Sequence, residues 1–145
     1  MKLLYTAKAH ATGGREGRVR SSDGHVDAKL APPAELGGPG DESTNPEQLF
    51  ACGYGACFLS ALKVVAAPHK LRTSTFTVDC HVTLSQDEEG GFLIGAELHC
   101  TLPDIESDQA WALMERAHEV CPYSRATREN IDVKLFVSDV QPAGV

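Results

Sequence analysis

Residues 45–66 constrain this chain more than any other stretch. Asn45 can serve as a helix N-cap, Pro46 fits the first helical position, and Gln48 three residues on completes a capping-box pattern. From there Phe50, Tyr54, Cys57 and Ala61 fall along one stripe at helical spacing. The stretch therefore reads as one long helix that ends near Ala66, before Pro68. Gly53 and Gly55 inside it each cost about 1 kcal/mol against Ala, which predicts that another backbone or side chain packs closely there.

The flanking segments carry a different period. Tyr5–Ala11, Glu16–Ser21 and His25–Ala31 read as short strands punctuated by Gly13-Gly14 and Ser22-Asp23-Gly24, and residues 32–44 as a long Pro- and Gly-rich loop of the kind that is often functional. After the helix, Phe76, Val78, Cys80, Val82 and Leu84 alternate with polar residues, and the alternation resumes from Phe92 to Leu102. That is a β-hairpin with one wet face. A three-residue turn at Glu89-Gly90-Gly91 predicts Cys80 opposite Cys100, both facing the core as reduced, non-catalytic thiols. Ser107 or Asp108 is the expected cap of a helix carrying Ala110, Leu113, Met114, Ala117 and Cys121. A short helical piece around Arg125–Glu129 and a last strand at Ile131–Val137 complete the chain. The order predicts an α+β fold of antiparallel strands with a long helix, rather than a parallel βαβ array, in one domain over residues 1–145.

Composition narrows the function classes. A net charge of −7 argues against a nucleic-acid groove or an anionic membrane surface. No apolar run is expected to reach the roughly 18 residues that span a bilayer, and Met1–Thr6 lacks a signal-peptide pattern. Five cysteines without regular spacing do not make a secreted disulfide framework, so a reducing cytoplasm is the expected location.

The chemistry must come from a few side chains. Cys57 lies deep in the apolar helix, whereas Cys121 lies where Pro122 stops the second helical pattern and the chain can turn. Cys57 reads either as a buried small hydrophobe or as a nucleophile, because burial disfavours the reactive thiolate. A nucleophilic Cys57 needs a cation, since the helix dipole fades within the first turn. Arg15, in the flexible run Gly13-Gly14-Arg15-Glu16-Gly17, is the candidate; the plain alternative is a solvated charge on a hairpin. Glu47 sits in the first helical turn, where a carboxylate is stabilised whatever its role, or where it can hold an Arg fork. His118 and Cys121 at i and i+3 make a poor zinc pair without further ligands, and the remaining histidines, His81 and His99 among them, read as strand or loop surface.

Taken together, Gly13-Gly14-Arg15-x-Gly17, Thr44–Ala51, Gly53-Tyr54-x-Ala56-Cys57-Phe58 and Ala117-His118-x-x-Cys121-Pro122-Tyr123-Ser124-x-Ala126-Thr127-Arg128 resemble the organic hydroperoxide resistance (Ohr) proteins of the OsmC/Ohr family. The resemblance covers essentially the whole chain. It implies an intertwined homodimer that reduces organic hydroperoxides, alkyl and fatty-acid ones included, with a lipoyl dithiol as external reductant and no bound cofactor or metal. It assigns Cys57 as the peroxidatic cysteine, Cys121 as the resolving one, Arg15 as the activating cation and Glu47 as its anchor. Phe50, Tyr54 and Phe58 are then expected to supply apolar substrate surface. Cys52 and Glu129 depart from the small residues expected at those places. Two other classes, a peroxide sensor without turnover and a small-molecule binder, are disfavoured by the joint presence of the four site residues.

Overall fold

The computed structural model describes residues 1–138; the end of the expected domain, residues 139–145, lies outside them. Backbone contacts group the chain into two compact units, Met1–Leu49 and the part that begins at Phe50.

The first unit carries an antiparallel sheet of β1 (Ala9–Thr12), β2 (Arg18–Ser21) and β3 (Asp27–Lys29), in that spatial order. The strands are shorter than the sequence pattern predicts, and Gly14–Glu16 forms a 3-10 turn instead of opening β2. Glycine makes that turn possible. Gly13 and Gly14 take φ of 69° and 58°, the left-handed region that side chains disfavour. At Gly17 an added Cβ would sit 1.7 Å from the Thr12 carbonyl oxygen, a clash that only backbone displacement can relieve. Arg15 is therefore held on a loop with little freedom to change sequence.

Helix α1 (Pro46–Ala66) starts at the end of this unit, with the bounds the sequence indicates. The Asn45 side-chain oxygen accepts the Gln48 backbone N–H at 2.8 Å, so Asn45 is the N-cap. The reciprocal half of a capping box differs: the Gln48 side chain accepts from the Thr44 hydroxyl at 2.8 Å.

The second unit holds the remainder of α1, β4 (Thr77–Gln86), β5 (Phe92–Thr101), α2 (Ser107–Val120), α3 (Pro122–Thr127) and β6 (Val133–Ser138). Strand order is β4-β5-β6, with β4 antiparallel and β6 parallel to β5. The sheet is thus mixed, which corrects the expectation of purely antiparallel sheets. The two helices between β5 and β6 return the chain to the starting edge, as a parallel connection requires. Glu106 is the N-cap position of α2, without a side-chain hydrogen bond, so Ser107 is the first helical residue and not the cap.

One core holds this unit together. Tyr54, Phe58 and Leu62 from α1, Leu98 and Cys100 from β5, and Met114 and Ala117 from α2 have no exposed surface. Each large side chain among them contributes about 1.5–3 kcal/mol from burial. Gly53 permits a close approach: a Cβ there would meet the Tyr123 hydroxyl at 2.8 Å and its ring at 3.3 Å, whereas at Gly55 the Cys80 Cβ stands at an ordinary 3.5 Å.

The segment Pro46–His69, 24 residues, is long and apolar enough to cross a membrane by length and composition, although no such run was expected. Interruption by Glu47, Gln48 and Lys63 hides it from a simple run count. It packs a stripe into the core, yet only 33% of its most apolar window is buried.

The hairpin turn falls one residue earlier than predicted. Asp87 N–H donates to the Gly91 carbonyl at 2.9 Å, and the Asp87 carboxylate accepts from the N–H groups of Glu89 (3.0 Å) and Gly91 (2.7 Å). The turn is Glu88-Glu89-Gly90, with Gly90 in the left-handed region at φ 86°. Every pair shifts by two while each face is kept: Cys80 lies opposite Leu98, and Cys100 opposite Val78. Burial pushes the Cys80 thiol up to about 11 and the Cys100 thiol up to about 12, out of the reactive range. Replacing both with Val is expected to leave the hydroperoxide turnover that the family resemblance implies within about twofold, measured in a variant with native circular dichroism; a collapse of that turnover would give one of them a catalytic part.

Candidate active site

The Cys57 and Cys121 sulfur atoms lie 3.4 Å apart, with the Cys121 thiol donating to the Cys57 sulfur. Both are free thiols, Cys57 partly buried and Cys121 fully buried. A disulfide needs the sulfurs at about 2.05 Å, so small side-chain rotations suffice to join them.

Proline chemistry places the second thiol. Pro122 excludes the helical conformation for the residue before it, and Cys121 takes φ −63° and ψ 125°. Cys121 thereby ends α2 while Pro122 opens α3. The α2 end is tied by Cys121 N–H to the Ala117 carbonyl (2.8 Å), and α3 by Arg125 N–H to the Cys121 carbonyl (2.9 Å). A buried chain of hydroxyls braces the turn. Tyr54 Oη contacts Ser124 Oγ at 2.9 Å and Thr127 Oγ1 at 3.1 Å, and Ser124 Oγ contacts His118 Nδ1 at 2.8 Å. His118 is thus engaged with a hydroxyl, and burial together with Arg128 lowers its pKa towards the neutral imidazole.

Burial raises the Cys57 pKa, and the backbone N–H of Tyr123 offsets only part of that rise. The second unit alone therefore favours the thiol. A nucleophilic Cys57 requires positive charge from outside this set, as the sequence argument anticipates.

In the first unit, Arg15 Nη1 donates to Glu47 Oε2 at 2.8 Å and Nη2 to Oε1 at 2.6 Å. This is the two-pronged fork that only guanidinium and carboxylate geometry permits. Hydrogen bonding to Arg15 holds the Glu47 carboxyl below its ordinary pKa, and the same pair raises the Arg15 pKa. The stabilisation from Glu47 is present above the carboxylate's unfolded pKa and is lost as pH falls through the depressed folded value. Because Gly17 has no room for a Cβ, Gly17→Ala is expected to displace the Arg15 turn. The hydroperoxide reduction that the family resemblance implies should then fall by up to about tenfold while the melting temperature drops by only a few degrees.

A cavity of about 370 Å³ opens on Cys57, lined by Ser60, Ala61, Val64, Val120 and Pro122. These residues, rather than the anticipated aromatics, form the surface in front of the thiol. Tyr54 and Phe58 point into the core with no exposure. Tyr54, Phe50 and Tyr123 form a ring cluster with centroids 5.8–6.0 Å apart. The missed residues had a sequence signal: Ser60, Ala61 and Val64 stand three, four and seven positions after Cys57, on the same helix face.

Comparison with known proteins shows the family and the fold. Residues 38–136 match the family model described as OsmC-like protein. The chain is 54% identical over 138 residues to the organic hydroperoxide resistance protein of Xanthomonas axonopodis pv. citri, covering 94% of this chain and 96% of that one. The crystal structure of an organic hydroperoxide resistance protein from Elizabethkingia anophelis superposes with a TM-score of 0.89 at 49% identity, covering 97% of this chain and 100% of that chain. That of OhrB from Bacillus subtilis gives 0.85 at 44% identity, covering 94% and 100%.

Proposed function

The chain belongs to the OsmC-like family, and on that footing we propose that it is a thiol peroxidase that reduces organic hydroperoxides to alcohols. The observation that carries this reading is the Cys57–Cys121 sulfur contact at 3.4 Å beneath an apolar cavity. The names of the relatives, organic hydroperoxide resistance proteins, support the substrate class.

In the proposed cycle the Cys57 thiolate attacks the peroxide oxygen distal to the organic group. The O–O bond breaks, the alcohol leaves with a proton, and Cys57 becomes a sulfenic acid. Cys121 then attacks that sulfur and expels water, leaving a Cys57–Cys121 disulfide. A lipoyl dithiol opens the disulfide by two exchange steps and leaves as the cyclic disulfide, restoring both thiols. Arg15, oriented by Glu47, favours the thiolate and steadies charge on the leaving oxygen. Ala61, Val64, Val120 and Pro122 take the organic group and favour alkyl and fatty-acid hydroperoxides over hydrogen peroxide. The cycle needs no bound cofactor or metal, and a cytoplasmic setting suits its thiol currency.

The working form in this proposal is a homodimer. Helix α1 leaves most of its apolar window uncovered in the single chain. A second apolar cavity of about 340 Å³ runs along α1 and β4, lined in part by Ala51, Ala56, Leu59 and Val78. Light scattering at micromolar concentration is expected to give twice the chain mass; a monomer would contradict the proposed assembly.

The test of the reaction is steady-state consumption of an alkyl hydroperoxide with dihydrolipoamide, thioredoxin or glutathione supplied separately. Fast turnover with dihydrolipoamide alone is the expected result. Consumption limited to one equivalent with every reductant would favour a sensor, and none at all a binding protein.

A further inference from the structure

The corrected hairpin register brings together three residues that the sequence pattern left as scattered surface. His81 on β4 lies directly opposite Glu97 on β5, and His99 follows two positions along the same face. Glu97 Oε2 accepts from His99 Nε2 at 2.9 Å and stands 3.8 Å from His81 Nδ1, so one carboxylate oxygen is aimed at by two imidazole nitrogens. One ligand atom from each of the three lies within 4.8 Å of the others. This face is the one opposite Cys80, Leu98 and Cys100.

We propose that His81, Glu97 and His99 form a binding site for a borderline divalent cation, with Zn²⁺ the best fit, on the outer face of the β4–β5–β6 sheet. Four-coordinate zinc at about 2.0–2.1 Å from each donor requires donors roughly 3.3 Å apart. The two separations to Glu97, 2.9 and 3.8 Å, bracket that value, and all three donor atoms lie within 4.8 Å of one another, so modest χ rotations complete the set. Two imidazoles with one carboxylate select zinc-like ions, whereas Mg²⁺ and Ca²⁺ demand oxygen donors. Three protein ligands leave an open position for water.

The site is also held in place. The ligands stand on paired strands, not on a loop. The His99 ring stacks on Phe136 of β6, 4.5 Å between centroids and 7° from parallel, and the His81 ring lies 4.5 Å from it on the other strand. His99 is 19% exposed, His81 40% and Glu97 38%, so a cation can enter from solvent. Lys134, the β6 partner of Glu97, stands 3.7 Å from Asp132.

The test is a titration of the full-length reduced protein with ZnCl₂, read by the imidazole proton resonances in NMR and by calorimetry. The expected result is that the His81 and His99 resonances shift together and saturate at one equivalent, with Mg²⁺ producing no shift. His81→Gln and Glu97→Gln should each weaken that step about tenfold or more, with melting temperature unchanged in the absence of zinc and turnover unaffected. Zinc uptake that leaves both histidine resonances in place, as binding at the thiols alone would, overturns the proposal. So does unaltered affinity in both variants.

Discussion

Cys57→Ser is expected to lose peroxide reduction by roughly 10³-fold or more, because a serine hydroxyl does not ionise near neutral pH and nothing else in the site replaces the nucleophile. Cys121→Ser separates the two halves of the cycle. It retains Cys57, so it should consume about one equivalent of alkyl hydroperoxide at a near-normal rate, then stall as a sulfenic acid and drift to the sulfinic form under excess peroxide. Rapid-mixing kinetics with mass spectrometry distinguishes these outcomes. Steady dihydrolipoamide-driven turnover by Cys57→Ser would remove the nucleophile from its assigned residue. Normal turnover by Cys121→Ser would mean that the reductant attacks the sulfenic acid directly.

Arg15→Ala should raise the Cys57 pKa by about 1–3 units, the usual effect of removing an opposite charge. Burial already raises that pKa, so the variant adds to a shift in the same direction. The rate of Cys57 alkylation and of peroxide reduction rises with pH as the thiolate forms; in the variant this rise should move to higher pH. A shift of two units leaves roughly a hundredfold less thiolate near neutrality. A more basic thiolate is also more nucleophilic, with a Brønsted slope near 0.5, so the net loss is about tenfold. Arg15→Lys should rescue poorly, since a point charge cannot reproduce the fork that spans both Glu47 oxygens at 2.6 and 2.8 Å. Glu47→Gln should fall between wild type and Arg15→Ala. An alkylation profile for Arg15→Ala that overlies the wild type would eliminate Arg15 as the activating cation.

Much of this architecture is legible where local rules decide it. The Asn45 cap and the helix that follows depend on side-chain-to-backbone bonds within a few residues, and they stand where the pattern puts them. So does the break at Cys121, which Pro122 imposes on its neighbour. What depends on distant partners was harder to read. The parallel pairing of β6 on β5 follows from where α2 and α3 return the chain, which alternation cannot reveal. The hairpin register turned on which glycine takes positive φ; Gly90 does so as the last turn residue, and the one-place shift moves His81 from opposite His99 to opposite Glu97. At the site, the aromatics Phe50, Tyr54 and Phe58 point to apolar surface, and it is apolar, but Tyr54 and Phe58 serve the core. The thiol faces Ser60, Ala61 and Val64, of which only Ala61 lies on the stripe that the spacing marks out.

The most direct test of the central claim is peptide mapping of the reduced protein after one equivalent of an alkyl hydroperoxide, without reducing agent. The predicted product is a single intramolecular disulfide joining Cys57 to Cys121, formed as the alcohol appears and reopened by dihydrolipoamide. Peroxide reduced while Cys57 and Cys121 both remain free thiols, or a disulfide formed instead through Cys52, would contradict it.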